Sequence, residues 1–283
     1  MSAEAAWRPI VPTGREDALL EEFPGYLREA IFPWLRKRVG AEHSAVNSGF
    51  FVSFQNSAHT DIGFTSDAYL SWRDTVLPHL RKLDDATFTN LVDFGLSTEY
   101  LSSSTPPLEK VLSDGGSAWT VVQWNQRHAR LTKRVSDGVR DALNSVLSAS
   151  DIASLKLQEA WVDAYGVNPR ASVAFSHAVV AVETAALSVI PVQASEPTLS
   201  NLFSILEADN PKWRLIFRDS PKAPGGKALA TMLRTLWRGQ ESRHGRPDYA
   251  DATLEEARAA VVMAATLVQW FNSGVVREVE AEQ

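Results

Sequence analysis

The sequence predicts a mainly α protein whose C-terminal half is a helical bundle. Three observations carry this prediction. Apolar residues recur at three- and four-residue spacing along most of the chain. Helix-start signals, Thr198 and Thr253-Leu254-Glu255-Glu256 among them, stand just ahead of apolar runs. Four main helical segments fall within the last ~125 residues, the density of a bundle.

The N-terminal part is mostly helical, with a few short strands expected. Over 15–39, Leu19, Leu20, Phe23, Leu27, Ile31, Trp34 and Leu35 form an amphipathic stripe interrupted by Pro24-Gly25 and Pro33. Phe50, Val52 and Phe54 alternate at period two, which predicts a short strand within 46–55. Helices are expected over 67–83 and 86–94, and a loop over 102–107. The stretch 119–124 reads as strand or helix. An amphipathic helix is expected over 127–148, with Leu131, Val135, Val139, Leu143 and Val146 on one side. The pattern pauses at Ser148-Ala149-Ser150-Asp151, dividing the chain into an N-terminal domain, 1–150, and the bundle, 151–283.

In the second half a helix over 151–165 ends at Gly166-Val167-Asn168-Pro169. A very apolar helix over 170–189 is stopped by Pro191. Thr198 caps a short helix through Leu206, and Trp213, Leu215 and Phe217 suggest a short strand. Pro224-Gly225-Gly226 precedes a helix containing Leu229, Met232, Leu233, Leu236 and Trp237. The capping box at Thr253 opens the last helix, which ends at Gly274.

Composition narrows the function classes. Among 283 residues, 45% are hydrophobic and 22% charged, so a packed core rather than disorder is expected. A net charge of −6 argues against coating nucleic acid by bulk electrostatics, while leaving room for a local basic site. With no cysteine there is no disulfide, thiolate nucleophile or zinc–thiolate site. The N-terminus lacks the basic start and apolar run of a signal peptide, and no uninterrupted run reaches ~18 apolar residues. The expectation is a soluble, cytoplasmic protein without membrane contact. No metal or cofactor is expected. His59-Thr60-Asp61 makes no defensible metal site, and Gly225-Gly226-Lys227 lacks the first glycine and the Ser/Thr of a phosphate loop.

One segment could carry chemistry. Between the last two long helices lies Trp237-Arg238-Gly239-Gln240-Glu241-Ser242-Arg243-His244-Gly245. A guanidinium can hold a phosphate by two parallel hydrogen bonds and offset charge growing on it. A histidine titrating near neutrality can take a proton from a ribose 2′-OH and return one to a leaving group. Together they suffice for metal-free RNA cleavage. Similar Arg-to-His spacings recur at Arg36/His43, Arg38/His43, Arg73/His79 and Arg170/His177, so spacing alone decides nothing. The polar, doubly basic setting between two apolar helices separates 238–244 from these, and its competing reading is a solvated turn. His177, in the most apolar helix, reads as a satisfied core or interface histidine. Glu183 in that helix needs a cation or a donor, with Arg238 and Arg243 as candidates. Arg127, Arg130, Lys133 and Arg134 make a basic helix face, solvated or available to RNA or an acidic partner.

On these features the C-terminal half resembles the HEPN superfamily, within it the abortive-infection-type bacterial proteins. The matching features run from Glu159-Ala160-Trp161 and Tyr165-Gly166-Val167-Asn168-Pro169 through the Ala178–Glu183 stretch. They continue with Arg238, Arg243-His244-Gly245 and the Ala-rich last helix closing on Trp270-Phe271-Asn272-Ser273-Gly274. The resemblance implies a metal-independent endoribonuclease acting in phage defence or stress, with Arg238 binding phosphate and His244 catalytic. Glu183 would orient the arginine, and Gln240 and Arg243 would support the site. It also implies an RNA substrate, a homodimer through the bundle and a regulatory protein partner. Gly239 stands where the superfamily usually carries Asn, His or Asp. The alternative is therefore a catalytically inactive HEPN-like module for dimerisation or for partner or RNA binding.

Overall fold

The computed structural model describes residues 19–40, 45–65, 69–98, 108–123, 128–135, 146, 149, 151–239 and 251–279. They are mainly helical, with a few three- to five-residue strands. The chain divides into two compact units. The first comprises 1–122 and 127–134, the second 123–126 and 135–283. This division falls after Arg134, ahead of the pause at 148–151 where the sequence suggests one.

The first unit runs α1 (Gly25–Arg38), β1 (Ala45–Asn47), α2 (Gly49–Ala58) and β2 (Tyr69–Ser71). A π-helical turn, Trp72–Val76, then leads into α3 (Leu77–Lys82), followed by α4 (Asp85–Ser97), α5 (Leu108–Asp114), β3 (Trp119–Gln123) and β4 (Ala129–Lys133). Helix α1 continues through Pro33, which is exposed and lacks the N–H an interior turn would use. Interior proline costs about 3 kcal/mol, and burial of Leu27, Ile31, Phe32, Trp34 and Leu35 outweighs it.

Three expectations are corrected here. The Phe50/Val52/Phe54 alternation lies on helix α2, not a strand, because Phe51 and Phe54 share the buried face. Phe50 and Phe54 both meet the Phe94 ring, at 5.3 and 5.6 Å between centroids. Within the expected 67–83 helix, Tyr69–Ser71 is instead a strand, β2, which pairs antiparallel with β1, and helical structure starts at Trp72. Where a helix was expected from 127, Ala129–Lys133 is a strand paired with β3. There Asp93, buried on α4, accepts the Leu131 backbone N–H at 2.8 Å and both oxygens face Arg130. That tertiary anchor overrides local helical patterning. The expected loop at 102–107 and the rest of the expected 127–148 helix over 136–145 lie outside the described residues.

The second unit contains α6 (Ile152–Tyr165), α7 (Ala171–Val189), α8 (Leu199–Leu206), β5 (Trp213–Leu215), α9 (Gly225–Arg238), α10 (Leu254–Asn272) and β6 (Val276–Glu278). Helices α6, α7 and α10 pack mutually into one core. Alanines line the facing sides, Ala174, Ala178, Ala181 and Ala185 on α7 and Ala257, Ala260 and Ala264 on α10, all buried. Small side chains let helix axes approach closely. By length and composition α7 could cross a membrane, yet its Ala/Val face is packed inside this core. Helix α9 packs on α8, and β5 pairs antiparallel with β6. Asp151 caps α6, Thr198 and Asn201 form a capping box on α8, and Thr253 and Glu256 form one on α10.

Candidate functional site

Helix α9 positions Arg238. Its buried stripe, Leu229, Ala230, Leu233 and Leu236, faces the bundle. One turn before Arg238, Arg234 grips Glu207 of α8 through both carboxylate oxygens at 2.6 and 2.8 Å and lies over the Phe203 ring. Phe203 in turn meets Trp237 edge-on at 5.7 Å. This pairing with Arg234 holds the Glu207 carboxyl below its ordinary range. Arg234 is thus compensated. Arg238, at the helix end, is exposed, and no hydrogen bond or ion pair among the described residues reaches it.

Gln240, Arg243 and His244 lie outside the described residues, but both flanks of their segment are placed. Gly239 caps α9 against the Phe175 ring of α7. A Cβ there would stand 3.0 Å from Phe175 Cζ, tighter than side chains normally pack. At the other flank, the Ser172 hydroxyl of α7 donates to Asp251 at 2.9 Å and accepts from Ala252 N–H at 3.1 Å. Residues 239 and 251 therefore both return to the first two turns of α7. The glycine that departs from the HEPN pattern has a packing cause of its own.

Glu183 is placed elsewhere. Its carboxylate accepts the Leu199 N–H at 2.7 Å, the first turn of α8, where a negative charge meets the positive end of the helix dipole. It found a donor, as its partial burial demands, and the donor is backbone rather than Arg238.

The Arg170/His177 spacing brings its two residues together on one carboxylate. Asp163 of α6, with a side chain only 7% exposed, receives Arg170 Nε at 2.9 Å on one oxygen and lies 3.0 Å from His177 Nδ1 on the other. His177 Nε2 is 3.6 Å from Glu159, which also binds Lys156 at 2.7 Å. His177 is thus a satisfied histidine with its ring direction set by Asp163. The cluster closes the short α6–α7 connection, helped by the Arg170 N–H to Asp163 carbonyl bond at 2.7 Å. Sequence reasoning missed it, although Glu159 and Asp163 stand four apart on α6, which puts both on one helix face.

Of the expected basic face, Arg127 lies outside the described residues and the other three cations are compensated. Arg130 pairs with Asp93 and Lys133 with Glu21, at 2.8 and 2.9 Å. Arg134 stands 3.0 Å from Glu109. The expected basic helix face is a strand whose cations face carboxylates. Gly226, rejected as part of a phosphate loop, sits where a Cβ would meet Leu206 carbonyl at 2.6 Å and Pro211 at 2.8 Å. Close approach of α9 to α8 is its purpose. Among the described residues no group of three His, Asp or Glu side chains could hold a metal ion. No protein-family model, curated protein or solved structure matches the chain, so the reading of this site rests on its own residues.

Proposed function

We propose that the second unit is a HEPN-like bundle that cleaves RNA without a metal, by 2′-OH attack, at a centre formed by Arg238 and His244. Arg238 would neutralise the phosphate and His244 would move the proton, with Gln240 and Arg243 supporting. The observation that carries this reading is the contrast along α9. Arg234 is neutralised by Glu207, while Arg238, one turn on, is exposed and meets no carboxylate among the described residues, and the segment bearing His244 follows it in the chain. Two copies meeting through the bundle would form one cleft, and the setting is cytoplasmic defence against phage or stress, held silent by a regulatory partner.

The test is expression of wild type, Arg238→Ala and His244→Ala in cells, scoring growth and total RNA integrity, with cleavage by the purified proteins in chelator. Both substitutions should lower cleavage ~100-fold or more and leave thermal unfolding unchanged. His177→Gln should retain cleavage, because its partner is Asp163. Full cleavage by either Arg238→Ala or His244→Ala ends the assignment.

A second reading, a catalytically inactive module for dimerisation or binding, is favoured by Glu183, whose carboxylate accepts the Leu199 N–H at the start of α8 and not Arg238. Intact RNA in the presence of the wild-type protein would select it.

A further inference from the structure

The two-stranded sheet of the second unit has one buried and one open face. In the β5–β6 register Leu215 opposes Val276, and both are buried. Alternation puts Arg214 and Arg277, also directly opposed, on the other face. The ladder extends beyond both strands, through Ile216 N–H to Val275 carbonyl at 2.9 Å and Val279 N–H to Lys212 carbonyl at 2.6 Å. Period two therefore adds exposed Lys212 and 44%-exposed Ile216 to the arginine face.

Like charges directly opposed across strands destabilise a sheet, so this pair calls for a compensating anion. Within the protein compensation is partial. Asp219 takes Arg214 at 2.6 Å and the Gly225 N–H. Exposed Glu278 belongs to the alternate register and pairs with none of these cations among the described residues. Arg277, Lys212 and nearby exposed Arg218 make no ion pair among the described residues. Among the described residues, four cations thus meet one pairing carboxylate, Asp219. Three of them, Arg214, Arg218 and Arg277, line a cavity of about 530 Å³ together with Ile216, Phe217 and Glu278. Phe217, 59% exposed, meets Trp270 edge-on at 6.1 Å.

We infer that the arginine face, together with the 216–219 segment that follows β5, binds single-stranded RNA, its phosphates on Arg214, Arg218, Arg277 and Lys212 and a base stacked on Phe217. Cations that follow a backbone beside an exposed aromatic platform are the chemistry of single-strand binding. A purely anionic small ligand would leave the exposed Phe217 and Ile216 unused. The face lies near the Gly225 end of α9, and Arg238 stands at the other end, a helix length of roughly 20 Å away. The inference rests on the RNA reading of this unit and supplies it with a docking surface separate from the reacting groups.

The test uses the full chain carrying His244→Ala, so that RNA stays intact, and a fluorescein-labelled single-stranded RNA 20-mer read by anisotropy. Adding Arg218→Ala with Arg277→Ala should weaken binding at least tenfold, and Phe217→Ala by about fivefold to a hundredfold, with unchanged thermal unfolding. Unchanged affinity in both variants, no binding by the parent, or equally effective competition by an acidic peptide or single-stranded DNA would overturn the assignment. Cleavage by the chain without His244→Ala is scored in parallel. Cleavage with patch-independent binding sinks this inference alone; patch-dependent binding without cleavage sinks the nuclease alone.

Discussion

Asp163 shows how much one side chain decides at the residue scale. Its carboxylate is nearly buried and holds Arg170 and His177 at the α6–α7 connection. Removing one partner of a buried pair strands the others, although Arg170 and His177 keep some solvent. Asp163→Ala should therefore cost about 2–3 kcal/mol, read as a lowered midpoint in urea. A change within error would show the cluster to be decorative. Two residues on, burial raises the Tyr165 hydroxyl above its ordinary range, and the nearby Arg258 lowers it by less. The fold thus prefers the neutral phenol. That stability is complete below about pH 10 and is lost as pH rises through the folded value. Tyr165→Phe should flatten the alkaline limb of the stability profile above about pH 10, and a limb of unchanged slope would exclude Tyr165 as its cause.

The helix ends are where the local code is strongest at the element scale. Thr253 accepts the Glu256 N–H while Glu256 takes the Thr253 N–H, and these bonds hold the Glu256 carboxyl below its ordinary range. Thr253→Ala should destabilise by about 1 kcal/mol, with faster amide exchange confined to the first turn of α10. The Glu256 contribution is present above the ordinary carboxylate range and is lost as pH falls through its lowered value. Gly239 works differently, by closeness to Phe175 rather than by backbone freedom, since its φ of −63° suits any residue. Gly239→Asn would push Phe175 aside. It should lower the thermal midpoint, and an unaltered midpoint would mean that Phe175 yields freely.

The −6 net charge confines any RNA contact to a local field at the scale of the whole molecule. With three to four cations on the β5–β6 face, the slope of log affinity against log salt should be about −2 to −3 for a single strand. A slope near zero would remove phosphate contacts from the account. Each unit has its own core, and their division after Arg134 follows from β4, the strand that a helical pattern concealed.

Legibility differed between fold and site for physical reasons. The mainly α class, the C-terminal helices, the cap at Thr198 and the capping box at Thr253 follow from local rules of spacing and hydrogen bonding, so the residues alone state them. Element type failed at Phe50–Phe54 and Ala129–Lys133, where short apolar runs suit helix or strand and a distant partner, Phe94 or Asp93, makes the choice. Site residues depend wholly on such distant partners. Sequence marked Glu183 as a carboxylate in need of a donor, and only the tertiary structure chose the Leu199 amide. It marked Arg170/His177 as one of several like spacings, and packing of α6 on α7 joined both to Asp163. It placed Arg238 at the end of an amphipathic helix. That Arg234 is neutralised, and Arg238 is not among the described residues, was decided by where α8 puts Glu207, because compensation of charge is a property of neighbours in space and not along the chain.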